Sequence, residues 1–127
     1  MEKSCPFCQL ETTRIVAEGP LHQVIRDGFP VSRGHTLVIP KRHVASLFEC
    51  TAQERAALLT ALDNAKAELD NTLAPDGYNI GISDGSAAGQ TVAHLHIHLI
   101  PRFRGDQIDP RGGVRWIFPD KARYWSD

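Results

Sequence analysis

The densest potential chemistry lies in Ala93-His94-Leu95-His96-Ile97-His98-Leu99-Ile100-Pro101-Arg102, where three of the chain's six histidines fall at alternate positions. Alternate side chains of an extended strand share one face. A strand over residues 93–102 therefore puts His94, His96 and His98 on one side and Leu95, Ile97 and Leu99 on the other. The apolar row belongs against a core, which leaves the imidazoles on an open face or in a cleft. Such a row suits two chemistries. One is metal ligation, because imidazoles at i and i+2 of a strand converge on zinc. The other is nucleophilic catalysis, in which a histidine forms a covalent intermediate and splits one hard step into two. Histidine's ordinary pKa of about 6.5 keeps a neutral, nucleophilic fraction at physiological pH, and spacing alone leaves both chemistries open. A second cluster, Cys5-Pro6-Phe7-Cys8, has the spacing of metal or redox sites.

Residues 85–91, Gly-Ser-Ala-Ala-Gly-Gln-Thr, lead directly into the histidine row. Gly85 and Gly89 let backbone N–H groups approach an anion closely, and Gln90 and Thr91 add side-chain donors at the entrance. The elements that must position these groups are legible in outline. Strands are expected over residues 14–18, 21–27 and 35–39, the last stopped by Pro40. Thr51-Ala52-Gln53-Glu54 has the form of a capping box. Leu58, Leu62, Ala65, Leu69 and Leu73 then recur at helical spacing, giving one amphipathic helix of about 22 residues that Pro75-Asp76-Gly77 ends. Tyr78, Ile80 and Ile82 alternate with polar or small residues, which predicts a strand over residues 78–83. The order β-β-β-α-β-β implies an α+β fold, an antiparallel sheet of about five strands with one main helix.

A chain of 127 residues, 42% hydrophobic and 23% charged, is expected to form one domain over residues 1–127 with a real core. The formal net charge of −1 gives no global attraction to nucleic acid or to anionic lipid, so any anionic ligand must be held by local groups. No apolar run approaches the ~20 residues needed to span a bilayer, and the first residues do not resemble a signal peptide; a cytoplasmic location is the expectation. The aromatic tail over residues 105–127 reads as irregular and packed, or as a subunit contact. Cys50 reads as filling space near the helix start, and His22 as an ordinary sheet histidine.

Gly34-His35-Thr36-Leu37-Val38-Ile39-Pro40-Lys41-Arg42-His43, together with Gly89-Gln90-Thr91-Val92 and the histidine row, resembles the histidine triad family of nucleotide hydrolases and transferases. The helix between these blocks and the C-x-x-C pair extend the resemblance to almost the whole chain, and residues 109–116 resemble bacterial members, of the diadenosine polyphosphate hydrolase or adenosine phosphoramidase type. The resemblance implies that His96 attacks the α-phosphorus of a dinucleoside polyphosphate or nucleoside phosphoramidate and forms a nucleotidyl-histidine intermediate. His98 would orient the nucleophile and His94 would flank the reaction. Gln90 and Thr91 would hold the α-phosphate, Ser83 would contact the phosphates, and Asp27 would accept hydrogen bonds from the ribose. His35 would contact the site or pack beneath it. Phe7, Leu21 and Ile25 would surround the purine, and Arg102 and Arg104 could meet distal phosphates. Cys5, Cys8, His43 and His94 match the ligands that hold structural zinc in part of the family, making residues 1–13 a zinc knuckle. No organic cofactor is implied, and a homodimer joined edge to edge is. Two rival functions stand beside this one: a metal-dependent hydrolase with zinc on the three-histidine face, and a nucleotide-binding scaffold whose catalysis is incidental.

Overall fold

Alternation sets the strands and prolines punctuate them. The computed structural model describes residues 4–126. Its strands are β1 (Ile15–Glu18), β2 (His22–Arg26), β3 (Thr36–Pro40), β4 (Gly77–Gly81) and β5 (Ile97–Arg102), and a single α-helix, α1 (Ala52–Leu73), falls between β3 and β4. All neighbouring strands pair antiparallel in the order β1-β2-β3-β5-β4. This is the expected α+β architecture, with the ends of β1 to β4 displaced by at most two residues and the start of β5 by four. Arg14 closes a 3₁₀ turn (Thr12–Arg14) instead of opening β1. The tail is not wholly irregular either: it contains 3₁₀ turns at Gly113–Ile117 and Pro119–Lys121.

The helix begins where the sequence says it should. The Thr51 hydroxyl accepts the Glu54 amide at 3.0 Å, and the Glu54 carboxylate accepts the Thr51 amide at 2.9 Å, the two reciprocal bonds of a capping box. Ala74 in the left-handed region terminates it, one residue before Pro75. Leu58, Ala61, Ala65 and Leu69 pack on Val24, Val38, Ile97 and Leu99 to make the main core, which Cys50 also joins. Each large side chain buried there is worth about 1.5–3 kcal/mol. The opposite sheet face carries a smaller cluster of Ile25, Leu37 and Ile39, roofed by Phe7, Leu10 and Ile15. Leu21 does not join it and remains exposed.

The histidine row departs from its expected strand. The register Thr36↔Leu99, Leu37↔His98, Val38↔Ile97, continued, would set Leu95 opposite Pro40, which has no N–H to donate. The ladder therefore starts at Ile97 and leaves His94 and His96 ahead of it. The Leu95 amide donates instead to the Val44 carbonyl at 2.7 Å. Side-chain alternation nonetheless survives, with Leu95, Ile97 and Leu99 all in the main core. Among the described residues no helix is long and apolar enough to cross a membrane.

Candidate active site

The three histidines hold three different environments. His94 is completely buried, whereas His96 and His98 are half-buried. The rings of His96 and His98 meet nearly edge to face with centroids 5.1 Å apart. The ring of His94 turns from them toward His43 and Phe7, with centroids at 5.1 and 5.8 Å. Only the His94 backbone carbonyl meets His96, at 2.9 Å from Nδ1.

Main-chain partners settle which nitrogen of each ring carries the proton. A carbonyl only accepts, so His96 Nδ1–H donates to the His94 carbonyl and Nε2 keeps its lone pair. The Pro40 carbonyl lies 2.8 Å from His94 Nε2, so that nitrogen is protonated and Nδ1 is left as a free base. The Val31 amide donates to His35 Nδ1 at 3.1 Å, which places the His35 proton on Nε2. That N–H faces His98 Nδ1 at 2.9 Å; His98 accepts there and, when neutral, carries its own proton on Nε2. His35 is thus a buried support for His98, with an Asp27 carboxylate oxygen 3.4 Å from its Nε2. Burial pushes the His35, His94 and His98 imidazoles below the ordinary histidine value. The nearby charge of Asp27 opposes the shift at His35.

The thiol pair approaches the buried histidine. Cys5 Sγ lies 3.4 Å from His94 Nδ1, while Cys8 Sγ lies 3.5 Å from the same nitrogen and 3.2 Å from His43 Nδ1. With Zn–S and Zn–N bonds of about 2.3 and 2.0–2.1 Å, tetrahedral ligands stand roughly 3.6 Å apart, close to these separations. Four ligand atoms lie within 4.8 Å of one another. The His94 tautomer fits as well, because Nδ1 presents its lone pair to the thiols while Nε2–H is held by Pro40, the outer-shell support that orients metal-bound histidine. Burial pushes the Cys5 thiol up, so a dication would supply the positive charge its thiolate needs. A second grouping, Asp27, His35 and His98, is comparably tight but does not suit a cation. The peptide N–H on His35 Nδ1 keeps a proton on Nε2, the atom that would have to ligate.

The remaining residues divide. Gln90 spans the loop, its carbonyl accepting the Gly85 amide at 2.8 Å and its NH₂ donating to the Ala45 carbonyl at 2.9 Å. Thr91 is exposed and Ser83 half-buried at the mouth of the same loop. Asp27 has one oxygen on the Phe29 amide at 2.8 Å and the other beside His35. Arg102 is clasped by Asp106 and Asn79, and exposed Arg104 faces Asp76. Neither arginine is bonded to the histidine row. Sequence reasoning missed the groups that orient the rings, namely the Val31 amide and the Pro40 and His94 carbonyls. Backbone donors and acceptors exist at nearly every residue and leave no mark in residue type.

Fold and site together define a class: an α+β domain with a five-stranded antiparallel sheet, in which half-buried His96 and His98 meet ring to ring beside a thiol–imidazole cluster that includes buried His94. The HIT domain model matches residues 9–105, and the chain belongs to that family. A zinc-bound histidine triad family protein from Mycobacterium smegmatis superposes with a TM-score of 0.73 at 38% identity, over 84% of this chain and 80% of that one. AP-4-A phosphorylase of Mycobacterium tuberculosis is 37% identical over 107 residues, 80% of this chain and 55% of that protein. The asymmetrical bis(5'-nucleosyl)-tetraphosphatase of Schizosaccharomyces pombe is 42% identical over 77 residues, 61% of this chain and 42% of that enzyme. The chain spans about half the length of these two relatives.

Proposed function

We propose that this protein is a nucleotide hydrolase or transferase that works through a nucleotidyl intermediate on His96. The observation that carries the reading is the 2.9 Å bond from His96 Nδ1 to the His94 carbonyl, which leaves Nε2 as a lone pair aimed away from its own backbone. In the first step that lone pair forms a bond to the α-phosphorus, and the bond from phosphorus to the leaving phosphate or amine breaks. In the second, water or another acceptor attacks the same phosphorus, its proton passes to His98 where His98 gave one up in the first step and otherwise to solvent, and His96 leaves with its electron pair. His98, fixed by His35 with its proton on Nε2, donates to the phosphoryl oxygens or the departing group. Backbone amides of residues 85–91, Gln90, Thr91 and Ser83 stabilise charge on those oxygens, and Asp27 receives the ribose.

Dinucleoside polyphosphates are the favoured substrates, supported by the names of the two enzymes similar to this chain; nucleoside phosphoramidates are the rival. Cys5, Cys8, His43 and His94 would hold zinc, which would supply a structural cross-link and no reacting group. Among the described residues β1 and β4 each have a strand neighbour on one side only, and such an edge supports an edge-to-edge homodimer. The test is product identification with diadenosine tetraphosphate and an adenosine phosphoramidate offered separately to wild type and His96→Ala. AMP with ATP from the first, falling by at least about a thousandfold in the variant, is the expected outcome. Equal turnover by the variant would overturn the mechanism, and tight nucleotide binding without turnover would favour the scaffold reading.

A further inference from the structure

Phe7 is the one large side chain inside the C-x-x-C turn, which the Cys8 amide closes onto the Cys5 carbonyl at 3.2 Å. Its ring meets two histidines of the row. The centroid separation is 5.8 Å to His94 at an interplanar angle of 86°, and 5.2 Å to His96 at 60°. The same side chain packs on the Ile25, Leu37 and Ile39 cluster. The nucleophile is therefore held at two points by parts of one cluster. His94, which faces both thiols through its side chain, gives its carbonyl to His96 Nδ1, and the turn that carries those thiols lays Phe7 against the His96 ring.

We infer that Phe7 is a positioning residue through which cation binding at Cys5, Cys8, His43 and His94 sets the orientation of the His96 ring. The reasoning rests on the proposed role of His96. Two contacts are needed because one hydrogen bond leaves an imidazole free to swing about it, and a swung ring loses the alignment with the His94 carbonyl that favours the Nδ1–H tautomer. An edge-to-face aromatic neighbour on the same ring removes that freedom. The turn that carries Phe7 belongs to no strand or helix; its ring rests on the Ile25, Leu37 and Ile39 cluster on one side, and the cation's cross-link at Cys5 and Cys8 would fix the backbone on the other. Metal occupancy and nucleophile geometry become one variable, although the metal never touches the reacting phosphate.

The test reads the His96 ring directly. Long-range proton–nitrogen spectra of the zinc-loaded protein distinguish the Nδ1–H from the Nε2–H tautomer and need no nucleotide. An edge-to-face pair is worth about 0.5–1.5 kcal/mol, so Phe7→Ala should lower the Nδ1–H to Nε2–H ratio of His96 about two- to twelvefold, by the Boltzmann conversion of that range, with zinc content unchanged. kcat should fall by a similar factor, over and above any rise in KM from a poorer purine surface. Phe7→Tyr, which keeps the ring edge, should restore the tautomer ratio. Chelating zinc from the wild type should reproduce the Phe7→Ala spectrum, provided the amides of β5 stay protected. If they do not, the zinc-loaded Phe7→Ala protein decides alone. A His96 ratio unmoved in Phe7→Ala, or unmoved by zinc removal from a folded sheet, would overturn the inference. Absence of nucleotide turnover with the ratio responding as described would instead overturn the proposed function and leave the coupling standing.

Discussion

Glu54 offers a test of how the helix start is tied to the segment carrying His43. Its carboxylate is buried yet accepts three hydrogen bonds, from Arg42 Nη2 at 2.7 Å, from the Thr51 amide at 2.9 Å and from Arg42 Nε at 3.0 Å. The Arg42 guanidinium beside it and the Thr51 amide hold its pKa down at about 2, well below the usual carboxylate value of 4.5. Removing the side chain as Glu54→Ala deletes one half of the capping box, worth about 1 kcal/mol. It also deletes the arginine pair; because the Arg42 side chain is 52% exposed it regains water, and its loss adds only about 1 kcal/mol. Together these amount to about 2 kcal/mol, or a fall in Tm of roughly 7 °C for a domain this size. The ionic part must depend on pH. With the folded pKa depressed, the unfolded chain binds the proton first. The contribution is thus complete above about 4.5 and is lost as pH falls toward 2. Urea unfolding of wild type and Glu54→Gln at pH 7, 5 and 3.5 should show a gap that narrows only in the last interval. A gap constant across all three would refute the assignment of the stabilisation to the ionised carboxylate.

The other two tests concern the histidines and the thiols. Burial lowers the folded pKa of His35 and His98, so the unfolded chain takes up their protons first once pH drops below about 6.5. Stability should be full above that value and decline through the depressed folded values; denaturant midpoints followed from pH 7.5 to 5 should slope accordingly and flatten in His35→Gln, and a slope identical in both proteins would remove the premise. Cys5→Ser with Cys8→Ser should lower zinc content and Tm together, measured by elemental analysis and calorimetry. Unchanged zinc would reject the thiol cluster as its site.

What could be read from the sequence was what is local. The extent of α1 was legible because Thr51, Glu54 and the Pro75 stop all act within a few residues. The face taken by Leu95, Ile97 and Leu99 was legible because alternation is a property of the strand itself. The placing of all three histidines on one strand failed for the opposite reason. The strand's start is decided by Pro40, more than fifty positions away, and by its missing N–H. His35 could not be assigned between contact and packing because its role depends on a ring in β5 and an amide in the preceding loop. Leu21 stays exposed outside the cluster that Ile25 joins because it sits at the turn just before β2, where the strand no longer holds it against that face. Asp27 was recognisable as an acid near the site, but its attachment to the Phe29 amide and its approach to His35 are products of the loop before β3.

The identity of the orienting groups bears on how the site would behave across pH. His94, His96 and His35 each take their tautomer from a main-chain group, the Pro40 carbonyl, the His94 carbonyl and the Val31 amide. None of these titrates in the physiological range. A carboxylate in the place of the His94 carbonyl would also draw the proton to His96 Nδ1, but its charge would favour the imidazolium and remove the lone pair on Nε2. A neutral carbonyl fixes the tautomer without placing a charge against the ring. The carboxylate of Asp27 stands behind His35 rather than against His96. The arrangement therefore separates two tasks that a carboxylate–histidine pair combines: the backbone settles which nitrogen of His96 is free, and the negative charge of Asp27 stands two rings back, behind His35 and His98.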